Sequence, residues 1–159
     1  MAVDYFLKID GITGEVKDPN FQDQIALSSF SWGGEQVTSI STAAAGHGAG
    51  KVTIHPLVVT KTFDKASVPL FKSLTIGTHA ATATLSAVKA GANRKPYIKV
   101  DLKSVFVTSY VVTASDEIPI ESVTLSYEQI TIEYFSQDDK GTVTSTGKAG
   151  WNVTTNQSS

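Results

Sequence analysis

The chain has 159 residues, with 13 Lys and Arg against 15 Asp and Glu for a formal net charge of -2, and it contains no cysteine. That length suits one domain able to bury a core without covalent staples, while the missing thiols exclude disulfides, thiolate metal sites and Cys nucleophiles together. The charges are spread without runs, so no basic stripe for a nucleic acid stands out.

At the start of the chain Val3, Tyr5, Leu7 and Ile9 alternate with Asp4 and Lys8, the pattern of a strand ending at Gly11. Asp4, Lys8 and Asp10 interrupt what a secretory h-region keeps apolar, so the segment does not read as a signal peptide. No apolar stretch approaches the roughly 20 residues needed to span a bilayer. The expectation is a soluble protein made in the cytoplasm that leaves the cell, if at all, by another route.

A polar connection through Gly14 and the turn Asp18-Pro19-Asn20 leads to a strand from Gln24 to Gly33. The following segment, Gly34 to Gly50, is rich in Ser, Thr, Ala and Gly, with only Val37 and Ile40 as sizeable apolar anchors. It reads as a long loop, or an arm that a neighbour orders. Lys51 to Thr62 is the next strand. Asp64 to Thr75 is the one expected helix: Ser67 can cap it, Pro69 is tolerated in a first turn, Leu70, Phe71 and Leu74 form an apolar stripe, and Gly77 stops it. Strands follow at Ala81 to Lys89, Tyr97 to Thr113 and Ile120 to Tyr134, with a short last one carrying Trp151 and Val153.

Four of these strands change apolar phase partway along. Ile25 and Leu27 differ in parity from Phe30 and Trp32; Ile98, Val100 and Leu102 from Val105, Val107 and Val111; Val123, Leu125 and Tyr127 from Ile130, Ile132 and Tyr134. Val52 and Ile54 give way after Pro56 to Leu57 and Val59. Side chains alternate faces along a strand, so each slip implies a bulge or a bend. Bends repeated around a small all-β domain are what a sheet needs to curl on itself. The predicted fold is all-β: a bent two-sheet β-barrel with one flanking α-helix and a long extended loop.

Little in the sequence points to chemistry. Gly46-His47-Gly48-Ala49-Gly50-Lys51 has one residue too few between its glycines for a phosphate loop, and a strand rather than a helix follows it. His47, His55 and His79 are not spaced as metal ligands, and no Gly-x-Ser-x-Gly elbow is present. Trp32 and Trp151 fall in alternating apolar strands, where core packing is commoner than sugar stacking. Glu121, Glu128 and Glu133 share one strand region and read as a solvated face rather than a glycosidase pair. The chain is read as a non-enzyme without metal or cofactor.

Taken in order, several short motifs resemble the haemolysin-coregulated protein (Hcp) family, the tube proteins of bacterial type VI secretion systems. Met1-Ala2-Val3-Asp4 with Phe6, Lys8, Ile9, Gly11 and Gly14-Glu15 is similar to the family's first strand and turn. Ser31-Trp32-Gly33 and Gly50-Lys51-Val52 resemble its Ser-Trp-Gly and Gly-Lys-Val. Thr60-Lys61, Asp64-Lys65, Leu70, Gly77, His79, Lys89-Ala90-Gly91, Tyr97, Val107, Ser109 and Gly150-Trp151 continue the likeness over the whole chain, residues 1–159 as one domain. Departures are small: proline falls one residue late at Pro69, and Thr78 stands where Lys is frequent.

The resemblance implies a homohexameric ring that stacks into a tube, is expelled by a contractile sheath behind a spike protein, and carries effector proteins in its lumen. The protein would then leave the bacterial cytoplasm through the type VI apparatus. A phage-type tail-tube subunit shares the fold and is not separated from this reading by the residues alone, and a carbohydrate-binding β-sandwich using Trp32 or Trp151 is the alternative from another class. Ile40, Ala43, Ala44, Gly46, His47, Gly48, Gly50 and Lys51 are the candidate subunit-interface arm. Ser28, Ser29, Ser31, Thr82, Thr84 and Ser86, on polar strand faces, are the candidate lumen contacts.

Overall fold

The computed structural model describes residues 2–39, 48–91 and 94–159. Two long antiparallel strands, β8 (Pro96–Thr113) and β9 (Ile120–Gln137), form its spine. On one flank lie β7 (His79–Lys89), β1 (Val3–Ile9) and β2 (Ile25–Leu27); on the other, β10 (Val143–Asn152) and β11 (Gln157–Ser158). The first half of β9 also pairs with β6 (Leu57–Thr62), which pairs with β3 (Ser29–Ser31). β4 (Gly34–Ser39) and β5 (Gly48–Ile54) form a separate two-stranded ladder, and α1 (Ser67–Ile76) packs beside β8.

The phase slips locate the bends. On β8 both Leu102 and Val105 are buried, and on β9 both Leu125 and Ile130 are, so each strand changes its buried parity in between. Ser104, with φ of 52°, is the left-handed residue at the turnover. The flanking register puts it level with Glu128 on β9 and Ala81 on β7, and β7 also switches, since Ala80 and Ala83 both meet the core. One bend line therefore crosses three strands. Ser28 is the matching break between β2 and β3: its N–H donates to the Thr60 carbonyl at 2.8 Å as the chain leaves β1 for β6. At His55 and Pro56 the chain leaves the β4–β5 ladder to enter β6.

The sheet thus folds back on itself, and its two halves share one core. Leu7, Leu85, Val100, Leu102 and Ile130 come from one half and Leu57, Val59, Val105, Val123 and Leu125 from the other. The strand ladders do not close into a barrel. β2 and β3 have three residues each, and at Ser28 the chain exchanges one partner strand for another instead of holding both. The expected barrel is corrected to a bent, folded-over sheet.

Other boundaries move for local reasons. The helix begins at Ser67 rather than Asp64, because Asp64 Oδ1 accepts the Ala66 N–H at 2.9 Å in a preceding turn. Ser67 is not its cap. It is buried, and its Oγ accepts from the Asp64 N–H and from Lys61. Of the expected stripe only Leu70 is buried, and Phe71 lies on the surface. Gly77, at φ 69°, ends the helix with its N–H on the Ser73 carbonyl. The segment read as loop has paired strands at both ends, β4 and β5, while residues 40–47 lie outside the described residues. The last strand is longer than expected, since β10 starts at Val143 on backbone pairing to β9 alone.

Candidate functional site

Side chains that point away from the core on the β3–β6–β9–β8 half form one wall. Register aligns Ser31 with Val58, Thr124 and Ser109, and Ser29 with Thr60, Ser122 and Val111. Ser126 and Thr108 extend it and hydrogen-bond to each other at 3.0 Å. None of these residues is charged. A four-stranded surface of hydroxyls and small apolar groups offers many weak contacts and no strong ionic one.

The candidate lumen residues divide between two surfaces. Ser29 and Ser31 are exposed on this wall, and Ser28 stands at its edge with its Oγ donating to the Thr60 carbonyl at 3.0 Å. Thr82, Thr84 and Ser86 lie on the outer face of the other half. The inward faces of the two halves meet in one core, so their outer faces point away from each other. Moreover, Thr84 donates to Asp101 at 2.7 Å, and Ser86 is only 4% exposed. The 12–24 connection folds over that face, stacking Phe21 on Phe6 at 4.7 Å beside buried Val88. Arg94 pins it by ion-pairing with both Asp4 and Asp18; these carboxylates, the Asp4 hydrogen bond first, push the guanidinium pKa up against the opposing pull of desolvation.

The uncharged wall has two open edges. Among the described residues β3 pairs only with β6, and β8 beyond Phe106 pairs only with β9. Beside the β8 edge Val111, Val112, Ile118 and Ile120 are exposed, as are Phe63, Val68, Phe71 and Ile76 on and next to the helix. An apolar strand edge of this kind is an adhesive surface unless something covers it.

Of the candidate arm, Ile40, Ala43, Ala44, Gly46 and His47 lie outside the described residues. Gly48, Gly50 and Lys51 belong to β5, with Gly48 opposite Ser39. At Gly50 the two strands approach closely, because a Cβ there would sit 1.9 Å from the Val37 carbonyl oxygen. Val37 itself is 76% exposed. An isolated two-stranded hairpin is marginal in water, and this one has little apolar cover of its own.

On the core side of the β6–β9–β8 half, beside the start of the helix, lies a buried ionic cluster that the sequence reading missed. Lys61 Nζ donates to Glu121 Oε2, to Ser67 Oγ at 3.1 Å and to the Thr62 carbonyl at 3.0 Å, and ion-pairs with Asp64 Oδ1 at 2.8 Å, with both Lys61 and Glu121 side chains fully buried. Tyr110 donates to the other Glu121 oxygen. Desolvation, then that hydrogen bond, pushes the Tyr110 pKa up to about 12. The expected solvated face is thereby overturned for Glu121, whereas Glu128 is exposed and Glu133 half-buried, accepting from Ser145 at 2.7 Å. Strand parity was the available signal. Lys61 follows Leu57 and Val59, and Glu121 precedes Val123 and Leu125, at core-facing spacing.

The cluster ties β6, β8, β9 and the helix start together, but it is closed to solvent. Among the described residues no group of three or more His, Cys, Asp or Glu could hold a metal ion. His55 stands 3.6 Å from Glu35 at the base of the hairpin, and His79 packs on Phe106 with ring centroids 5.1 Å apart. Trp151 is half-buried against the core. Trp32, also half-buried, forms the wall of an apolar groove of about 560 Å³ with Ile98, Ile132, Tyr134 and Ala149.

Comparison with known proteins bears on these surfaces. A family model described as type VI secretion system effector, Hcp, matches residues 6–134. The protein hcp1 of Pseudomonas aeruginosa is 36% identical, over 98% of this chain and 98% of its own. A solved structure of a type six secretion system protein superposes with a TM-score of 0.92 at 28% identity, covering 99% of this chain and 100% of that one. Hcp1 from Salmonella typhimurium superposes at 0.80 with 29% identity and complete coverage of both chains.

Proposed function

The chain belongs to the Hcp family of type VI secretion proteins, and from that premise we propose that it is a tube subunit: copies close into a hexameric ring, rings stack, and the tube carries effector proteins in its lumen. The observation that carries the reading is the uncharged wall with its two open edges. β3 and the end of β8 run in opposite senses at opposite sides of the same four strands, so copies set side by side continue the sheet in antiparallel fashion. A head-to-tail contact of this kind gives a ring when its rotation closes. The Ser29 and Ser31 surface then faces the channel, and the β4–β5 hairpin is left to reach a neighbouring copy.

A neutral hydroxyl wall suits transient cargo. Each contact is weak, and repetition around the ring supplies avidity. The remaining partners follow from the same reading: a spike protein at the tube tip, a contractile sheath outside, and export through the type VI apparatus rather than by cleavage of a leader. No helix among the described residues is long and apolar enough to cross a membrane.

Native mass and negative-stain images of the purified protein test the ring. A monomer across a broad concentration range sinks it. Ser31→Gln and Thr84→Gln then test the wall: loss of effector co-purification from the first alone, with ring mass and secretion intact, supports it, and unchanged recovery from both removes the assignment.

A further inference from the structure

Helix α1 lies at the β8 margin of the β3–β6–β9–β8 half, whereas Trp32, just past β3 at the other margin, faces a groove whose remaining walls come from the opposite half; both are apolar and without cover among the described residues. Leu70 turns inward to the core; Val68, Phe71 and Ile76 occupy roughly 140° of arc on the other side of the helix, at ~100° per residue, and all three are exposed. The groove is lined by Trp32, Ile98, Val100, Ile132, Tyr134 and Ala149 with little polar surface. We propose that Phe71 and its helical neighbours on one copy plug the Trp32 groove of the next, so that each groove is completed only by the adjoining subunit. This rests on the ring reading above and names its seam.

Register supports the fit. Through Val59 and Val123, Phe30 on β3 is level with Tyr110 on β8, and Phe71 packs on Tyr110 with ring centroids 6.1 Å apart. Where the open edge of the next copy's β8 joins the open edge of β3 without a change of register, that copy's Phe71 comes to the level of Phe30. Trp32 is two residues further on, roughly 7 Å along a strand, within the reach of a phenylalanine side chain and its helical neighbours.

The layers agree as well. Phe30 and Trp32 have the core-facing parity and pack against the core, as do the groove residues Ile98 and Ile132. The helix likewise lies on the core side of β8, since Tyr110, on which Phe71 rests, is a core-contacting residue opposite Val123. Edge-to-edge continuation therefore slides the helix of one copy into the layer where the next copy's groove opens, while both hydroxyl walls stay on the other side. A sheet seam closed by an apolar plug also covers the exposed edge at Val112, which otherwise invites unspecific pairing.

Because the chain has no cysteine, engineered thiols report the seam directly. Phe71→Cys combined with Ala149→Cys, both at exposed positions, should on mild oxidation give a ladder of covalent multimers up to the closed ring in denaturing gels. Phe71→Cys with Val153→Cys should not. Phe71→Glu should retain the wild-type circular dichroism spectrum and lose ring mass. Rings that persist in the wild type and in Phe71→Glu, with no ladder from the first thiol pair, overturn the seam and leave the ring reading standing; a wild type that never exceeds monomer mass overturns both.

Discussion

Replacing Lys61 by methionine probes the buried cluster most directly. The substitution conserves much of the side-chain volume but leaves the Glu121 carboxylate, fully buried, with the Tyr110 hydroxyl as its remaining donor, and it strips Asp64 and Ser67 of their ammonium partner at 2.8 and 3.1 Å. Breaking one side of a buried ion pair costs about 3–5 kcal/mol, against a total stability of about 5–15 kcal/mol for an ordinary domain. At ~2–4 °C per kcal/mol for a chain of this size, the melting temperature should fall by roughly 6–20 °C. Removing both charges in Lys61→Met with Glu121→Leu should restore most of the loss, because two apolar groups replace a desolvated pair. Urea unfolding of the four members of this cycle measures the coupling. Fixed protein concentration keeps any assembly contribution constant. A single Lys61→Met variant within ~1 kcal/mol of wild type would refute a solvent-free pair.

Alkaline titration gives a second expectation. Burial, with the Glu121 hydrogen bond as a second cause at Tyr110, pushes the pKa of Tyr110 and Tyr127 up to about 12; the folded state holds these protons more tightly than the unfolded chain, whose tyrosines titrate near ~10. Stability from both is complete below ~pH 10 and is lost as pH rises toward about 12. Ultraviolet titration should show Tyr110 and Tyr127 ionising late, with Tyr97 also pushed up by burial, and full ionisation of all five tyrosines near the ordinary value contradicts the structure. Trp32→Ala, at a half-buried site, should cost less than the ~3–5 kcal/mol of a fully buried tryptophan, yet abolish rings; a stable monomeric variant is the expected product, and wild-type ring mass speaks against it. Gly50→Ala places a methyl 1.9 Å from the Val37 carbonyl oxygen, so hydrogen exchange at the β4–β5 ladder should accelerate while core amides keep their protection, and unchanged ladder protection would show that the close approach is not required.

Strand parity and local turn chemistry carried the sequence a long way. The slips at Ser28, at Ser104 with Glu128, and after Pro56 marked where strands bend or part, because alternation along a strand is dictated by the backbone and a buried face tolerates no unexplained change of phase. Gly77 ended the helix for an equally local reason, the left-handed geometry that only glycine adopts freely. Decisions involving distant partners were beyond such reasoning. That the ladders stop short of a barrel depends on which neighbours β2 and β3 find on either side of Ser28. That Ser31 and Thr84 face opposite directions depends on the two halves sharing a core, and the burial of Ser86 depends on where the 12–24 connection lies. The first part of β10 has no apolar alternation and becomes a strand only because β9 offers it hydrogen bonds. Lys61 and Glu121 stood at core parity throughout, but 60 residues separate them, and only the pairing of β6 with β9 turns two costly buried charges into one tolerated pair.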